Sequence, residues 1–320
     1  MNATIDAIRS LLLPAAVFAG GKNQSDIFGR NRYMVTLRGI AWMSALVLLI
    51  ALSSSAQQLY VANEPLESLQ LLDLNTSKVT TLYKVGARLD DLILNSAGQL
   101  IYSSPDTGTV YLYDPTTGQN TTLASGLSYP RDLAIEPGGQ TMLIALYTPG
   151  EIVRFNFATG TTTMLVKNLK SCDGIAYDPY GNLYAVANHN TIVQINPVTG
   201  AILNTLVLEP HKGINGGDGL TYDSYSGSLW TTHDGTTGYG LVQIPVTAAG
   251  LGSSPSSYFP TTVPPMPTFR SPDGIKSDGK GNLYIGAIWT VAVYNIPTNT
   301  ITKNIVVKGA DGVSLVPGTY

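Results

Sequence analysis

Five aspartates recur at one position of an internal repeat. Acidic residues are scarce in this chain, with only 21 Asp and Glu in 320 residues, so their concentration at one aligned position is far beyond chance. Carboxylates that converge in a partly desolvated place repel one another, and a bound cation, a counter-charge or raised pKa values must relieve the repulsion. We call the residues at this position the aspartate column: Asp90, Arg131, Asp173, Asp218, Asp273 and Asp311.

The aspartate column could bind a metal ion. Hard oxygen ligands suit Ca²⁺ best, with Mg²⁺ or Mn²⁺ as alternatives, so each of the five aspartates is a candidate metal ligand. Arg131 could instead serve as an internal counter-charge. A structural alternative also stays open, because an aspartate before glycine often accepts a hydrogen bond from the backbone of its own turn.

The histidines of the chain supply candidate acid–base groups, since histidine can act as a general base near neutral pH. There are three, and each lies in a segment predicted for one face of the fold. Asp218 and His233 are the candidate catalytic residues, although a surface histidine is commonly only solvated. Candidate ligand-binding residues on the same face are Glu64, Arg131, His189, His211, Asp234, Arg270 and Trp289.

The elements that must position these side chains are repeats of about 40 residues. The segment SCDGIAYDPYGNLYAVA (171–187) recurs as GDGLTYDSYSGSLWTTH (217–233) and SPDGIKSDGKGNLYIGA (271–287), with weaker copies at 89–104 and 130–145. A second pattern such as IVQINPVTG follows each copy. Each repeat therefore holds four short apolar or alternating runs broken by turn residues, which predicts four antiparallel strands.

The sixth repeat is divided between the two ends of the chain. Residues 310–320 (ADGVSLVPGTY) form an opening strand with nothing after it, and residues 57–83 form the remainder of a repeat without its opening strand. Pairing the two halves removes the open edges of a ring. The sequence thus predicts one all-β domain over 57–320, a six-bladed β-propeller whose last blade is closed by its own ends. The aspartate column should then lie at the upper mouth of the central channel.

The N-terminal region has the pattern of a secretory signal. Residues 40–52 (IAWMSALVLLIAL) follow Arg38 and precede small residues, and an apolar run of 13 residues is short for a membrane span. We predict a signal peptide over 34–56 that is cleaved after Ala56, and a mis-assigned or non-native extension over 1–33. The mature protein would be secreted or periplasmic, without a stable membrane span; the alternative is an uncleaved anchor.

Composition and motifs argue against several other functions. A formal net charge of −3 gives no reason to expect nucleic-acid binding. Phosphate-loop, G-x-S-x-G, H-E-x-x-H and C-x-x-C motifs are absent from the sequence, so no nucleotide cofactor is expected. The single cysteine, Cys172, occupies a repeat position that is small or apolar in the other copies, which indicates packing.

The repeat D-G-[IL]-x-x-D-x-x-G-x-L-[YW], followed some 20 residues later by a turn like NPVTG, resembles the regucalcin/gluconolactonase family. It is also similar to NHL-type and streptogramin-lyase-like propellers. The resemblance implies a divalent cation at the top of the channel, with ligands that include an Asp in a P-D-G motif. Asp273 matches that motif in full, and Asp173 and Asp218 match it in part. The chain departs from the family in having Arg131 in the column and no opening Glu motif.

These observations favour an exported, metal-dependent hydrolase of the lactonase type. The cation would polarise a lactone carbonyl and orient water, and an aspartate of the column or His233 would take the proton. Two alternatives stay open. One is a non-catalytic propeller that binds a small molecule, a glycan or a protein on its upper loops. The other is a structural protein that self-associates in an extracellular assembly.

Overall fold

The computed structural model describes residues 57–208, 214–235, 238–252, 257–260 and 271–319. All regular structure within these ranges is β-strand, which confirms the all-β prediction. No helix in the described part of the chain is long and apolar enough to cross a membrane. The strands in chain order are β1 (Gln58–Asn63), β2 (Ser68–Asp73), β3 (Val79–Lys84), β4 (Leu92–Leu94), β5 (Leu100–Ser104), β6 (Thr109–Tyr113), β7 (Asn120–Ala124), β8 (Pro130–Ile135), β9 (Thr141–Leu146), β10 (Glu151–Asn156), β11 (Thr161–Val166), β12 (Cys172–Tyr177), β13 (Leu183–Ala187), β14 (Thr191–Ile195), β15 (Ile202–Val207), β16 (Ile214–Asp223), β17 (Ser228–Gly235), β18 (Gly238–Thr247), β19 (Gly250–Leu251), β20 (Ser257–Pro260), β21 (Pro272–Ser277), β22 (Asn282–Ala287), β23 (Thr290–Asn295), β24 (Thr300–Val306) and β25 (Ala310–Leu315).

These strands form six antiparallel sheets, which are the six predicted blades. Blade 1 holds β4–β7, blade 2 β8–β11, blade 3 β12–β15, blade 4 β16–β20 and blade 5 β21–β24. Blade 6 combines β25 with β1–β3, in the order β25-β1-β2-β3. The innermost strand of each blade contacts the innermost strand of the next, so the blades close into a ring.

The two ends of the chain close the ring, as predicted from the divided repeat. Strand β25 pairs antiparallel with β1, and Leu59 lies opposite Leu315 while Val61 lies opposite Val313. Leu59, Val61 and Val313 are fully buried in one apolar cluster that also includes Tyr284 of blade 5. Closure therefore protects both the backbone edge of β1 and the apolar side chains beneath it.

Apolar clusters between adjacent blades form the core. One cluster joins Leu143 and Ile152 of blade 2 to Ile175 and Leu183 of blade 3. Cys172 belongs to the same cluster and is fully buried, which confirms its predicted packing role, and this burial raises the pKa of its thiol. Full burial of a Leu or Ile side chain contributes roughly 1.5–3 kcal/mol, so these inter-blade contacts dominate the stability of the ring.

The turns at the lower face have a common origin in their Asp or Asn residues. Asp114 Oδ1 accepts hydrogen bonds from the backbone N–H groups of Thr116 and Thr117, and Asn196 Oδ1 accepts from Val198 and Thr199. Such turns hold the chain reversal by local hydrogen bonds. The repeated motifs DPTTG and NPVTG therefore specify tight hairpins on the face opposite the aspartate column.

Each opening strand approaches its neighbour closely just after the aspartate column. Glycine follows the column residue in four blades, and a Cβ added there would lie 2.5–2.6 Å from the carbonyl oxygen of the next blade's column residue. The register shifts across these positions in β8, β12, β16 and β21, which marks β-bulges. Bulges, and glycine where it is present, let the opening strands converge on the channel. The four glycines are Gly174, Gly219, Gly274 and Gly312.

We predict that Gly312→Ala lowers the free energy of unfolding by about 2–3 kcal/mol, because the added Cβ meets the backbone of blade 1 and overpacks the ring closure. Gly98→Ala is the control, since a Cβ at Gly98 meets no atom within 4 Å and only its positive φ of 77° opposes the change. That variant should lose about 1 kcal/mol. Urea denaturation measures both, and equal losses would contradict the role given to close approach.

Candidate functional site

All six residues of the aspartate column line one cavity at the upper mouth of the channel. The free space within it is about 20 Å³, which is room for roughly one water molecule. The alignment of repeats therefore predicted correctly that these six residues lie together. The mouth is too narrow to contain an organic substrate, which would have to lie above it against the upper loops.

Arg131 supplies the positive charge at the centre of the aspartate column. Its Nη1 lies 3.1 Å from Asp173 Oδ1 and 3.8 Å from Asp218 Oδ1, and its Nε lies 3.6 Å from Asp90 Oδ2. The guanidinium carbon lies 4.5 Å from the centre of the Tyr147 ring, which covers it. Arg131 is thus the internal counter-charge, held by three carboxylates and a cation–π contact.

One guanidinium does not balance the charge of five carboxylates. Burial and the unbalanced negative charge raise the pKa values of several aspartates in the column. Burial raises the pKa of Asp90 to about 8 and the pKa of Asp173 to about 7, against the opposing effect of Arg131. Burial and the charge of Asp273 also raise the pKa of Asp218 and of Asp311. Part of the column is therefore protonated at neutral pH in the absence of another cation.

The predicted metal site does not fit this arrangement. Within the described residues, no group of three or more His, Cys, Asp or Glu side chains is placed to hold a metal ion. Arg131 already lies among Asp90, Asp173 and Asp218, where a cation bound by the column would have to lie. The assignment of Ca²⁺, Mg²⁺ or Mn²⁺ to the five aspartates stays a prediction.

A second charged layer lies one residue further along the opening strands. Lys276 Nζ is 3.2 Å from Asp91 Oδ1 and 3.6 Å from Asp132 Oδ1. Asp132 Oδ2 also accepts a 2.6 Å hydrogen bond from the backbone N–H of Ile175, and Asp91 Oδ2 accepts one from Leu133. These two aspartates occupy the position that is glycine in the other blades. They link blades 1, 2 and 3, because hydrogen bonds from the aspartate side chains here replace the close backbone contact that glycine allows in the other blades.

A chain of three polar side chains rises from the aspartate column to the solvent. Asp173 Oδ2 lies 3.6 Å from His189 Nδ1, and His189 Nε2 lies 3.3 Å from the Tyr147 hydroxyl. The His189 side chain is 44% exposed, whereas the Asp173 side chain is 1% exposed. His189 and the preceding Asn188 have φ values of 62° and 49°, a left-handed pair that turns the chain tightly between β13 and β14.

Tyr129 and Arg88 extend this upper surface toward blade 6. Arg88 Nη1 donates a 2.7 Å hydrogen bond to the Tyr129 hydroxyl, and Arg88 Nε lies 2.6 Å from Glu64 Oε1. The Tyr129 ring centre lies 5.8 Å from that of Tyr147, which in turn lies 5.7 Å from the His189 ring. We call Tyr129, Tyr147 and His189 the aromatic arc.

The structure confirms the upper-face position of several predicted residues. Glu64 lines a cavity together with Asp273 and Asp311, and His189 contacts Asp173. Trp289 lies in the turn between β22 and β23, 40% exposed, with Lys308 Nζ 5.4 Å from its ring centre. His211 and Arg270 lie outside the described residues, as does the side chain of Asp234.

His233 lies in a strand and not, like His189, in a turn of the upper face. Strand β17 continues to Gly235, and His233 lies within it, paired with Gly217 on one side and Gly240 on the other. Its exposed fraction is 1%. The reason is that β18 begins at Gly238 and extends the hairpin through the segment THDG. His233 is therefore buried, while Asp218, the other candidate catalytic residue, lines the channel mouth with a side chain 22% exposed.

Sequence reasoning missed the aromatic arc and the second charged layer. Tyr147 follows β9 as His189 follows β13, so both come from the turn between the second and third strands of their blades. That equivalence was visible in the aligned repeats. Asp91 and Asp132 were also detectable, because each directly follows the aspartate column where other repeats have glycine.

Comparison with solved structures shows the propeller fold. The chain is similar to a chain of the nidogen/laminin complex, with a TM-score of 0.66 and 16% identity over 83% of this chain and 100% of that one. It is similar to virginiamycin B lyase from Staphylococcus aureus, with a TM-score of 0.56 and 16% identity over 80% of this chain and 86% of the lyase. A streptogramin B lyase gives a TM-score of 0.52 and 15% identity, over 78% and 74% of the two chains.

At these identities the likeness shows the fold alone. It supports the resemblance to streptogramin-lyase-like propellers at the level of architecture, and the regucalcin/gluconolactonase assignment is not confirmed. No protein-family model and no curated protein matches the chain.

We predict that the melting temperature of the protein falls as the pH rises from 5 to 8. The folded state retains carboxyl protons that the unfolded chain, with carboxyl pKa values of about 4, has already lost, so folding takes up protons in this window. A fall of roughly 5 °C is expected. Asp90→Asn should flatten the profile because it removes the group whose pKa is raised to about 8.

Asp106→Asn is the matched control, since Asp106 is exposed in a turn of blade 1. It should leave the slope unchanged. A wild-type melting temperature that rises or stays constant between pH 5 and 8, measured by circular dichroism, would contradict the raised pKa values of the aspartate column.

Proposed function

We propose that this propeller is an acid–base enzyme of the hydrolase type, with Asp173, His189 and Tyr147 as its proton-handling groups. The observation that carries the proposal is the chain of contacts from Asp173 through His189 to the Tyr147 hydroxyl. Its inner end is buried and charged, and its outer end meets solvent. Perturbed carboxyl pKa values beside an exposed imidazole are typical of catalytic sites.

The geometry assigns a role to each group. With its Nδ1 proton facing Asp173, His189 presents the Nε2 lone pair toward Tyr147 and the upper surface. Burial, reinforced by the charge of Asp173, raises the pKa of Tyr147, so its hydroxyl stays protonated at neutral pH and can donate. His189 is then the general base, and Tyr147 the general acid. Asp173 orients the imidazole and stabilises its charged form.

Hydrolysis of a lactone or ester can proceed with these groups alone. A water molecule that replaces the Tyr147 contact gives its proton to His189 Nε2 while its oxygen bonds to the carbonyl carbon. As the tetrahedral intermediate collapses, Tyr147 donates its proton to the departing alkoxide oxygen. The imidazolium of His189 then returns a proton to the Tyr147 phenolate, and the hydroxy acid leaves. The lactone class comes from the family resemblance and is the first class to test.

Arg131 supports this chemistry from below. It lies 3.1 Å from Asp173 and opposes the effect of burial on the pKa of that carboxyl, which keeps a fraction of Asp173 ionised near neutral pH. An ionised Asp173 is needed to orient His189 and to stabilise the imidazolium. The signal-like segment 34–56 supports the further proposal that this activity is exported.

The aromatic arc favours one alternative, a propeller that binds a glycan or protein on its upper loops without turnover. Tyr129, Tyr147 and His189 present ring faces beside Arg88 and Glu64, a combination that suits stacking on sugar rings together with polar contacts. A similar fold occurs in the nidogen/laminin complex. Self-association in an extracellular assembly stays a prediction from the sequence.

We predict that purified residues 57–320 hydrolyse members of a panel of lactones and chromogenic esters, followed by pH-stat and absorbance. His189→Gln and Tyr147→Phe should each lower kcat by about 100-fold, because each removes one proton-transfer group. Both variants should keep the wild-type melting temperature within about 2 °C.

Tyr180→Phe is the control for Tyr147→Phe, since Tyr180 is 61% exposed in a lower-face turn. It should retain full activity. Turnover that survives in His189→Gln and Tyr147→Phe would overturn the assignment of these groups. Binding of glycans or proteins without turnover of any panel member would favour the alternative.

A further inference from the structure

A second cavity opens at the channel mouth on the side away from His189. It has a volume of about 70 Å³ and lies between blades 5 and 6. Its walls combine acidic, hydroxyl and aliphatic side chains. The residues that form them are Glu64, Ser271, Asp273, Ile288, Ala310 and Asp311.

Among the described residues, Asp273 and Asp311 form no ion pair with a lysine or an arginine. Arg131 contacts Asp90, Asp173 and Asp218 in the other part of the column. Arg88 neutralises Glu64, with 2.6 Å between Nε and Oε1.

Asp273 and Asp311 form an acidic pair in the cavity wall, and burial together with the charge of Asp273 raises the pKa of Asp311. Lys308, three residues before Asp311, has its ammonium over the ring of Trp289, and Lys276, three residues after Asp273, pairs with Asp91 and Asp132.

The side chain of Asp311 gives a separate observation that points to a ligand in this cavity. The residue is 5% exposed and lines both this cavity and the channel mouth. Its Oδ2 atom is buried and has no hydrogen-bond partner among the described residues. A buried carboxylate oxygen without a donor is costly, and a ligand that brings a charged N–H donor would remove the cost.

We infer that this cavity binds the primary ammonium group of an organic ligand. Resting on the proposed function, this makes the substrate an amine-bearing lactone or ester. An ammonium carries three N–H donors, which suit Asp311, Asp273 and the hydroxyl of Ser271. Ile288 and Ala310 offer an apolar wall for the alkyl chain that carries the ammonium. A bare metal ion would make no apolar contact with that wall.

The position of the cavity relates it to the acid–base groups. Going around the ring, the blade of Asp311 and the blade of Asp173 are three steps apart, so the two groups face each other across the mouth. A ligand whose ammonium enters the cavity would extend over the aspartate column toward His189. The ammonium would thus orient the substrate and select against uncharged analogues.

The test uses n-butylammonium chloride as the probe and n-butanol as its uncharged counterpart, with purified residues 57–320 at pH 8. Binding is followed by saturation-transfer NMR and by the shift in melting temperature. We expect butylammonium to bind and butanol to show at least tenfold weaker binding. Asp311→Asn should weaken butylammonium binding about tenfold, because it replaces a charge-assisted hydrogen bond by a neutral one.

Two further variants serve as a control and as a second probe of the cavity. Asp106→Asn, an exposed aspartate in blade 1, should bind butylammonium like the wild type. Ser271→Ala gives a second, uncharged probe of the cavity and should weaken binding about threefold if Asp311→Asn fails to fold. Equal binding of butylammonium and butanol, or no effect of either cavity variant, would overturn the inference.

Calcium chloride is the third compound tested, beside butylammonium and butanol. A melting shift with Ca²⁺ that is lost in Asp311→Asn, without any shift from butylammonium, would make this a metal site and overturn the inference. The binding measurement does not depend on turnover. Hydrolysis of uncharged lactones without butylammonium binding would support the proposed function and overturn the ammonium site. Butylammonium binding without turnover would support the ammonium site and contradict the proposed function.

Discussion

The guanidinium of Arg131 and the carboxylates around it set the conditions under which this propeller can close. Six innermost strands must converge on one axis, and five of them bring an aspartate to the same height. In water five such charges would be a minor cost, but within a mouth that admits about one water molecule their repulsion is large. Arg131 offsets three carboxylates directly. Burial also raises the pKa of four of the five aspartates, which favours their protonated, uncharged forms.

The same charge distribution divides the mouth into two working parts. On one side Arg131 favours ionisation of Asp173, which faces His189 and, through it, Tyr147. On the other side Asp273 and Asp311 form no ion pair within the described part of the chain and border a cavity with an apolar wall. Below both, Lys276 pairs with Asp91 and Asp132. A rigid ring thus presents an acid–base pair and an acidic pocket on one surface.

The propeller fold could be predicted from the sequence because the repeats can be aligned, and each copy supports the strand boundaries of the others. The closure by β25 and β1 followed from two half-repeats, and the aspartate column from one aligned position. His233 was misplaced because the hairpin of β17 and β18 is longer than its equivalents, and such extensions depend on pairing that a single segment does not encode. The contact of Tyr147 with His189 was hidden for a different reason: aligned repeats show that both residues lie in equivalent turns, but whether their side chains meet depends on how adjacent blades pack.

The central claim is that Arg131 is the counter-charge that allows the aspartate column to exist. The direct measurement is the melting temperature of Arg131→Gln at pH 5 and pH 8, beside that of Arg154→Gln. Arg154 pairs with Glu136 on the lower face and serves as a matched control. We expect Arg131→Gln to melt close to the wild type at pH 5, where the carboxyls are protonated, and far below it at pH 8, while Arg154→Gln should lose the same amount at both pH values. Equal losses at the two pH values for Arg131→Gln would contradict the claim.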